Sequence, residues 1–241
     1  MSRNVHEAEL VRVQPRADGV VEYVLRPEAP LTFRAGQFVS VRVGRDADDN
    51  PVLRSYSIAS HSGLPEFSLI LKLIEHGPGS QFFARLAVGQ RVQFTGPMGF
   101  FVLDLQHTGD VVFGVTGVGI TPVLPMLAEL AARAESGKVI VYWGNRHAAD
   151  LFWLDELRAL AAQNPRIELR LFLSGDAGPN SGDWDGRRGR INAELLADSA
   201  TLTQPVFYLV GNGAMIKELK ADLQARGVDR KRQIRNEAFF G

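Results

Sequence analysis

Through the first hundred residues, apolar and polar positions alternate with a period of two in short stretches, and Gly, Pro or Asp closes each stretch. Residues 9–13 and 20–25 flank a polar turn at 17–19, and residues 36–43, 53–60, 66–74 and 90–95 continue the series. Six short strands at this spacing predict a small antiparallel β-barrel. One helical interruption falls at 77–86, where Gly77 and Gly79 lead into Ser80 as a candidate N-cap, and Phe82, Phe83 and Leu86 follow at helical spacing.

Beyond Gly96, Pro97 and Gly99 the period changes. Residues 107–110 read as a short linker, and strands then alternate with helices, the pattern of a doubly wound α/β domain with a parallel sheet. Residues 111–115 are almost continuously apolar, as a central strand covered on both faces requires. Strands are predicted at 139–143, 167–173, 205–210 and 233–240, with helices over 123–134, 151–162 and 214–226. The Gly- and Asp-rich segment 174–189 is expected to be a surface loop. Two domains follow: a β-barrel over 1–105 and an α/β domain over 106–241.

Composition narrows the chemistry. The 241 residues are 45% hydrophobic, enough for a substantial core, and 27 Lys plus Arg balance 27 Asp plus Glu, so no global field points to nucleic acid. Cysteine is absent, which removes disulfides, catalytic thiols and cysteine-ligated iron–sulfur clusters from this sequence. The five histidines are scattered without metal-ligand spacing, so no metal site is expected. No stretch resembles a signal peptide or a membrane span, and a cytoplasmic location is expected.

Three local patterns carry candidate chemistry. Within 53–60, strand geometry puts Arg54 and Tyr56 on one face and Leu53, Ser55 and Ser57 on the other, which suits a flat aromatic ligand bearing phosphates. A half-buried strand with a solvated arginine would look the same. The helix start at Gly79-Ser80 offers free backbone N–H groups to an anion, or is a plain loop-to-helix transition. Between the first parallel strand and its helix, Gly117-Val118-Gly119-Ile120-Thr121-Pro122 allows close backbone approach, with Thr121 as N-cap and Pro122 at the first helical position. Pro122 stands where a Gly-x-Gly-x-x-Gly fingerprint would have its third glycine, so a conventional Rossmann dehydrogenase is not the expectation.

Taken in order, Arg54 to Ser57, Gly79-Ser80, Gly96 to Gly99 and Gly117 to Pro122 resemble the motifs of the ferredoxin–NADP(H) reductase superfamily, and the resemblance covers nearly the whole chain. It implies an FAD-binding barrel followed by an NAD(P)-binding domain. Arg54 would pair with the flavin pyrophosphate, Tyr56 would pack on the isoalloxazine, and Ser57 would lie near its reactive N5, with Ser55 in the same motif. Gly79 and Ser80 would donate to FAD phosphates, while Gly117, Gly119, Thr121 and Pro122, with Gly211, would hold the nicotinamide nucleotide. The C-terminal run Glu237-Ala238-Phe239-Phe240 resembles the Ala-Phe ending of bacterial members. It adds Glu237 to Tyr56 and Ser57 as catalytic candidates, and Phe239 and Phe240 either stack on the flavin or close the core.

Two features depart from the family pattern. Val210-Gly211-Asn212-Gly213 stands where a Cys-Gly pair is common. After Ser174, where NADP(H)-using members often carry arginine, this chain has Gly175 and Asp176; an acidic side chain suits a ribose diol, so NADH is expected ahead of NADPH, although Arg187, Arg188 and Arg190 lie nearby. The implied activity is hydride transfer from NAD(P)H to FAD, then electron transfer to a separate ferredoxin, flavodoxin or oxygenase component. The basic run Arg226, Arg230, Lys231, Arg232 would face an acidic carrier or simply be solvated. A reductase of free flavin or quinone and a non-catalytic flavin-binding subunit are the alternatives.

Overall fold

The computed structural model describes residues 5–133, 137–175 and 184–240. The chain divides into two compact units, one of residues 1–103 with 121–126 and one of 104–120 with 127–241.

In the first unit, strands β1 (Val5–Ala17), β2 (Val20–Pro27), β3 (Phe38–Arg45), β4 (Pro51–Ser57), β5 (Phe67–Lys72) and β6 (Arg91–Met98) form one antiparallel sheet in the order β4-β3-β6-β1-β2-β5. A bridge between Ile58 and Leu69 joins its two outer strands and curls it into the predicted barrel. Closure leaves a single interior, filled by Leu10, Leu25, Val39, Val41, Leu69 and Phe94. Helix α1 (Pro78–Arg85) packs Phe83 into it, with the Phe83 ring 4.7 Å from that of Tyr23.

The second unit is built on β7 (Val111–Thr116), β8 (Val139–Asn145), β9 (Ile167–Leu173), β10 (Arg187–Arg188), β11 (Val206–Asn212) and β12 (Ile234–Phe240), all parallel, in the order β10-β9-β8-β7-β11-β12. The helices are α2 (Val123–Ala131), α3 (Leu154–Gln163), α4 (Asn192–Asp198), α5 (Gly213–Ala225) and α6 (Arg230–Gln233). Strands β7, β8 and β11 are buried almost throughout, which is why they read as continuous apolar runs. The chain winds outward from β7 through β8 to β9 and returns to β11 on the other side of β7. That reversal makes the carboxyl ends of β7 and β11 a topological switch point, where ligands of doubly wound sheets bind.

Several sequence expectations change. The helix predicted from 151 begins at Leu154, after a short 3-10 turn at Ala148–Asp150 and a left-handed Trp153 (φ 58°). The helix after β7 starts at Val123, and position 134 lies outside the described residues. The loop expected over 174–189 contributes the two-residue strand β10, and α4 and α6 were not anticipated; at two, seven and four residues they are too short to show a period.

The segment read as a linker contains a structural staple. Buried Asp110 accepts from the Lys138 amide at 2.8 Å and the Thr203 amide at 2.7 Å, tying two connections to the amino end of β7. Removing it orphans two backbone donors, each costing roughly 1–3 kcal/mol. Asp110→Ala is therefore expected to lower unfolding free energy by about 3 kcal/mol in urea titration. A loss under about 1 kcal/mol would mean those amides find other partners.

Candidate functional site

On β4, Arg54 is exposed, with one guanidinium N–H donating to the Leu53 carbonyl at 2.8 Å, and Tyr56 is half-buried with its ring edge-on to Phe83 at 5.1 Å. Burial pushes the Tyr56 phenol up to about 12, partly offset by Arg54, so it stays a neutral hydrogen-bonding group at physiological pH. Both side chains reach the first turn of α1. A Cβ on Gly79 would lie 2.0 Å from the Tyr56 hydroxyl oxygen, 3.3 Å from the ring carbon bearing it and 3.5 Å from Arg54 Cγ. A side chain at position 79 would displace the Tyr56 hydroxyl from its place against the helix start.

That helix start differs from expectation in its cap. Gly77 is the N-cap and Pro78 follows it, while Ser80 lies inside the helix and its Oγ accepts from the Ile74 amide at 2.9 Å. No side chain caps the first turn, and amides so early in a helix have no intrahelical acceptor. An uncapped, positively polarised helix start beside an arginine and a phenol fits a pyrophosphate joined to an aromatic ring system. Ser55 is exposed, and Ser57 is buried at the end of β4 opposite Phe38.

In the second unit, the glycine-rich segment directly follows β7. Gly117–Ile120 forms a 3-10 turn with Gly117 at φ 55°, and the buried Trp143 indole donates to the Gly117 carbonyl at 3.0 Å. Thr121 and Pro122 form a buried turn between it and α2, so Pro122 precedes the first helical residue and does not occupy it. A Cβ on Gly119 would lie 2.9 Å from the Val210 carbonyl oxygen and 3.0 Å from Gly211 Cα. The turn therefore rests directly on the end of β11.

Gly211, at φ 117°, is held against Thr116, whose Oγ1 accepts from the Asn212 amide at 2.8 Å. Asn212 also caps α5, its side-chain oxygen accepting from the Met215 amide at 3.1 Å. This capping role is an addition to the sequence expectations; an Asn immediately before a helix is the signal for it. In register, Glu237 lies opposite Val210 and Ala238 opposite Gly211, so β12 carries Glu237 and the half-buried Phe239 to the same edge. Val210, in the place of the family cysteine, is fully buried. Asp176 and the Phe240 side chain lie outside the described residues.

Asn145, at the carboxyl end of β8, is 6% exposed, and its side-chain N–H₂ has no partner among the described residues. A buried amide without a partner at this edge matches a site awaiting polar ligand atoms. Nearby, Ser174 Oγ donates to the Asn145 carbonyl at 3.2 Å. Arg187 is engaged by Glu194 at 2.7 Å and Arg190 by Glu218 at 2.7 Å, whereas exposed Arg146 and Arg188 have no ion-pair partner among the described residues.

The basic run falls elsewhere. α6 precedes β12 at the amino edge of the sheet, three residues of strand, or about 10 Å, before Glu237 and six residues before Phe240. Among the described residues no group of three or more His, Cys, Asp or Glu could hold a metal, and no helix is long and apolar enough to cross a membrane.

Comparison with known proteins matches these two halves separately. Residues 20–103 match an oxidoreductase FAD-binding domain and residues 115–221 an oxidoreductase NAD-binding domain. The chain is 32% identical to ferredoxin–NADP reductase B of Sorangium cellulosum, over 93% of this chain and 94% of that one. It is 31% identical to methane monooxygenase component C of Methylosinus trichosporium, over 79% of this chain but only 57% of that relative. Among solved structures, the Amycolatopsis cytochrome P450 reductase GcoB superposes with a TM-score of 0.85 at 26% identity, covering 99% of this chain and 70% of that one. A ferredoxin–NADP+ reductase of Neisseria gonorrhoeae, solved with FAD and NADP, shares the fold with a TM-score of 0.80 at 24% identity, over 97% and 98% of the two chains. With an uncapped helix start beside Arg54 and Tyr56 in one half and a glycine-lined switch point in the other, the chain belongs to the ferredoxin–NADP(H) reductase superfamily, as an oxidoreductase of one FAD-binding and one NAD-binding domain.

Proposed function

We propose that this chain oxidises NAD(P)H through FAD and passes the electrons to a separate small redox protein, and that the residues above hold the two cofactors. The observation that carries the reading is the convergence of Arg54, Tyr56 and Gly79 at an uncapped helix start. Bound FAD would supply the hydride-accepting ring and the means of passing electrons on. Arg54 and the first-turn amides at Gly79 and Ser80 bind the pyrophosphate. Tyr56, supported by Phe83, backs the ring, and Ser57 places a hydroxyl near the hydride-accepting position. Gly117, Gly119, Thr121, Pro122 and Gly211 let the nicotinamide nucleotide approach the backbone, Glu237 and Phe239 stand at the same edge, and Asn145 offers an amide that has no partner among the described residues.

NADH is the proposed donor, on the acidic Asp176 after Gly175. Arg188→Ala should then leave NADH affinity within about twofold; equal turnover with NADPH at low concentration would reverse the assignment. Named relatives act with a ferredoxin or within a monooxygenase, and a ferredoxin, flavodoxin or oxygenase component is the proposed acceptor here.

The test is anaerobic mixing of the FAD-loaded protein with NADH and with NADPH. Rapid bleaching of the flavin absorbance by at least one nucleotide is expected. Failure with both would leave a flavin-binding subunit that does not catalyse.

A further inference from the structure

Two glycines shape the turn after β7 for different reasons. Gly119 is packed on the end of β11, whereas a Cβ on Gly117 would meet nothing within 4 Å. Glycine stands at 117 for its backbone conformation, φ 55°, and not for room. With no side chain to oppose rotation, the peptide that joins Gly117 to Val118 is easily turned over. Another group has to hold it in one orientation.

That group is Trp143. It is fully buried on β8, opposite Val115 of β7 and Leu171 of β9, and its indole N–H donates to the Gly117 carbonyl at 3.0 Å. The ring is fixed in turn by Phe152, itself 3% exposed, which meets it edge-on at 5.7 Å with the planes 89° apart. A planar trans peptide points its C=O and its N–H in opposite directions, so an oxygen held on a buried ring leaves the N–H side of that peptide facing away from the ring. Because β7 lies between β8 and β11, the turn that follows it is held on one flank by Trp143 and on the other by Val210 and Gly211.

We propose that Trp143 is a positioning residue for the nicotinamide nucleotide: its indole N–H keeps the Gly117 carbonyl turned into the fold, so that this oxygen is not presented to the nucleotide's pyrophosphate. Without the bond the glycine peptide turns over, and an outward carbonyl oxygen repels the anion that oriented backbone amides attract. Trp143 acts through the turn and not on the reacting atoms. The repulsion falls on the bound nucleotide and on the transition state alike, so it raises KM and leaves kcat. The inference rests on the proposed assignment of Gly117 to Thr121 to the nucleotide.

The experiment uses the FAD-loaded chain, with ADP-ribose as a probe that carries the pyrophosphate without the nicotinamide. Three variants separate the bond from the packing: Trp143→Phe keeps an aromatic ring and loses the N–H, 3-benzothienylalanine at position 143 keeps the shape and loses only the N–H, and Phe152→Leu loosens the ring and keeps the N–H. In the first two, the Kd for ADP-ribose by calorimetry and the KM for NAD(P)H with ferricyanide as acceptor are expected to rise about tenfold, the loss of one hydrogen bond that sets the turn. Their kcat and FAD content should stay within about twofold of wild type, and Phe152→Leu should stay within about twofold on every measure. Unchanged affinity in the 3-benzothienylalanine protein, an equal loss in Phe152→Leu, or a tenfold fall in kcat with KM unchanged would each overturn the proposal. Absence of ADP-ribose binding by the wild-type chain would defeat the nucleotide assignment of the turn and this inference with it, whereas wild-type binding that the N–H-less variants retain in full defeats this inference alone.

Discussion

Arg54→Ala is expected to weaken FAD binding by about ten- to a hundredfold, so that dialysis leaves the variant largely without flavin while its circular dichroism is unchanged. The guanidinium is exposed and rests on its neighbour's carbonyl, so it contributes little to the fold. Facing a pyrophosphate it would make charge-assisted hydrogen bonds, each worth roughly 1.5–3 kcal/mol, and 1.4 kcal/mol is a factor of ten in affinity. Gly79→Ala probes the same cradle from the other side, because its methyl would occupy the space of the Tyr56 hydroxyl. That variant should also lose FAD, with a shifted flavin spectrum in whatever fraction remains bound. Full occupancy and wild-type spectra in both would remove β4 and α1 from the flavin site.

The sequence revealed most where burial imposes a period. The alternation of 36–43 and the continuous apolar run of 111–115 located β3 and β7, because the first has one covered face and the second has two. What it did not reveal is set by contacts distant in the chain. Ser80 looked like a cap because capping residue types are common at helix starts, yet its hydroxyl is taken by Ile74 and the chain turns into the helix at Gly77. Asp110 looked like linker because its partners, Lys138 and Thr203, lie 28 and 93 residues away. The basic run at 226–232 reads equally as a docking face or as solvated surface, because charge alone carries no direction.

Gly211→Ala is expected to be the most damaging single methyl in the second unit. At φ 117° any side chain is strained, and the new Cβ would lie 2.6 Å from the Thr116 carbonyl oxygen, a backbone atom that cannot move aside. Relief requires β11 to part from β7 just where the Asn212 amide bonds Thr116 Oγ1, and that shift would carry Gly119, packed on Gly211, out of place. Strain of roughly 1–3 kcal/mol plus a lost hydrogen bond of about 1 kcal/mol should therefore appear in urea unfolding. Nucleotide affinity, read by quenching of protein fluorescence, should fall at least tenfold while FAD content stays at wild-type level. This separates the two halves of the site: Arg54→Ala should lose flavin and keep nucleotide binding, and Gly211→Ala should do the reverse. If Gly211→Ala binds NADH and NADPH as well as the wild type does, the glycine-lined switch point is structural and the nucleotide lies elsewhere.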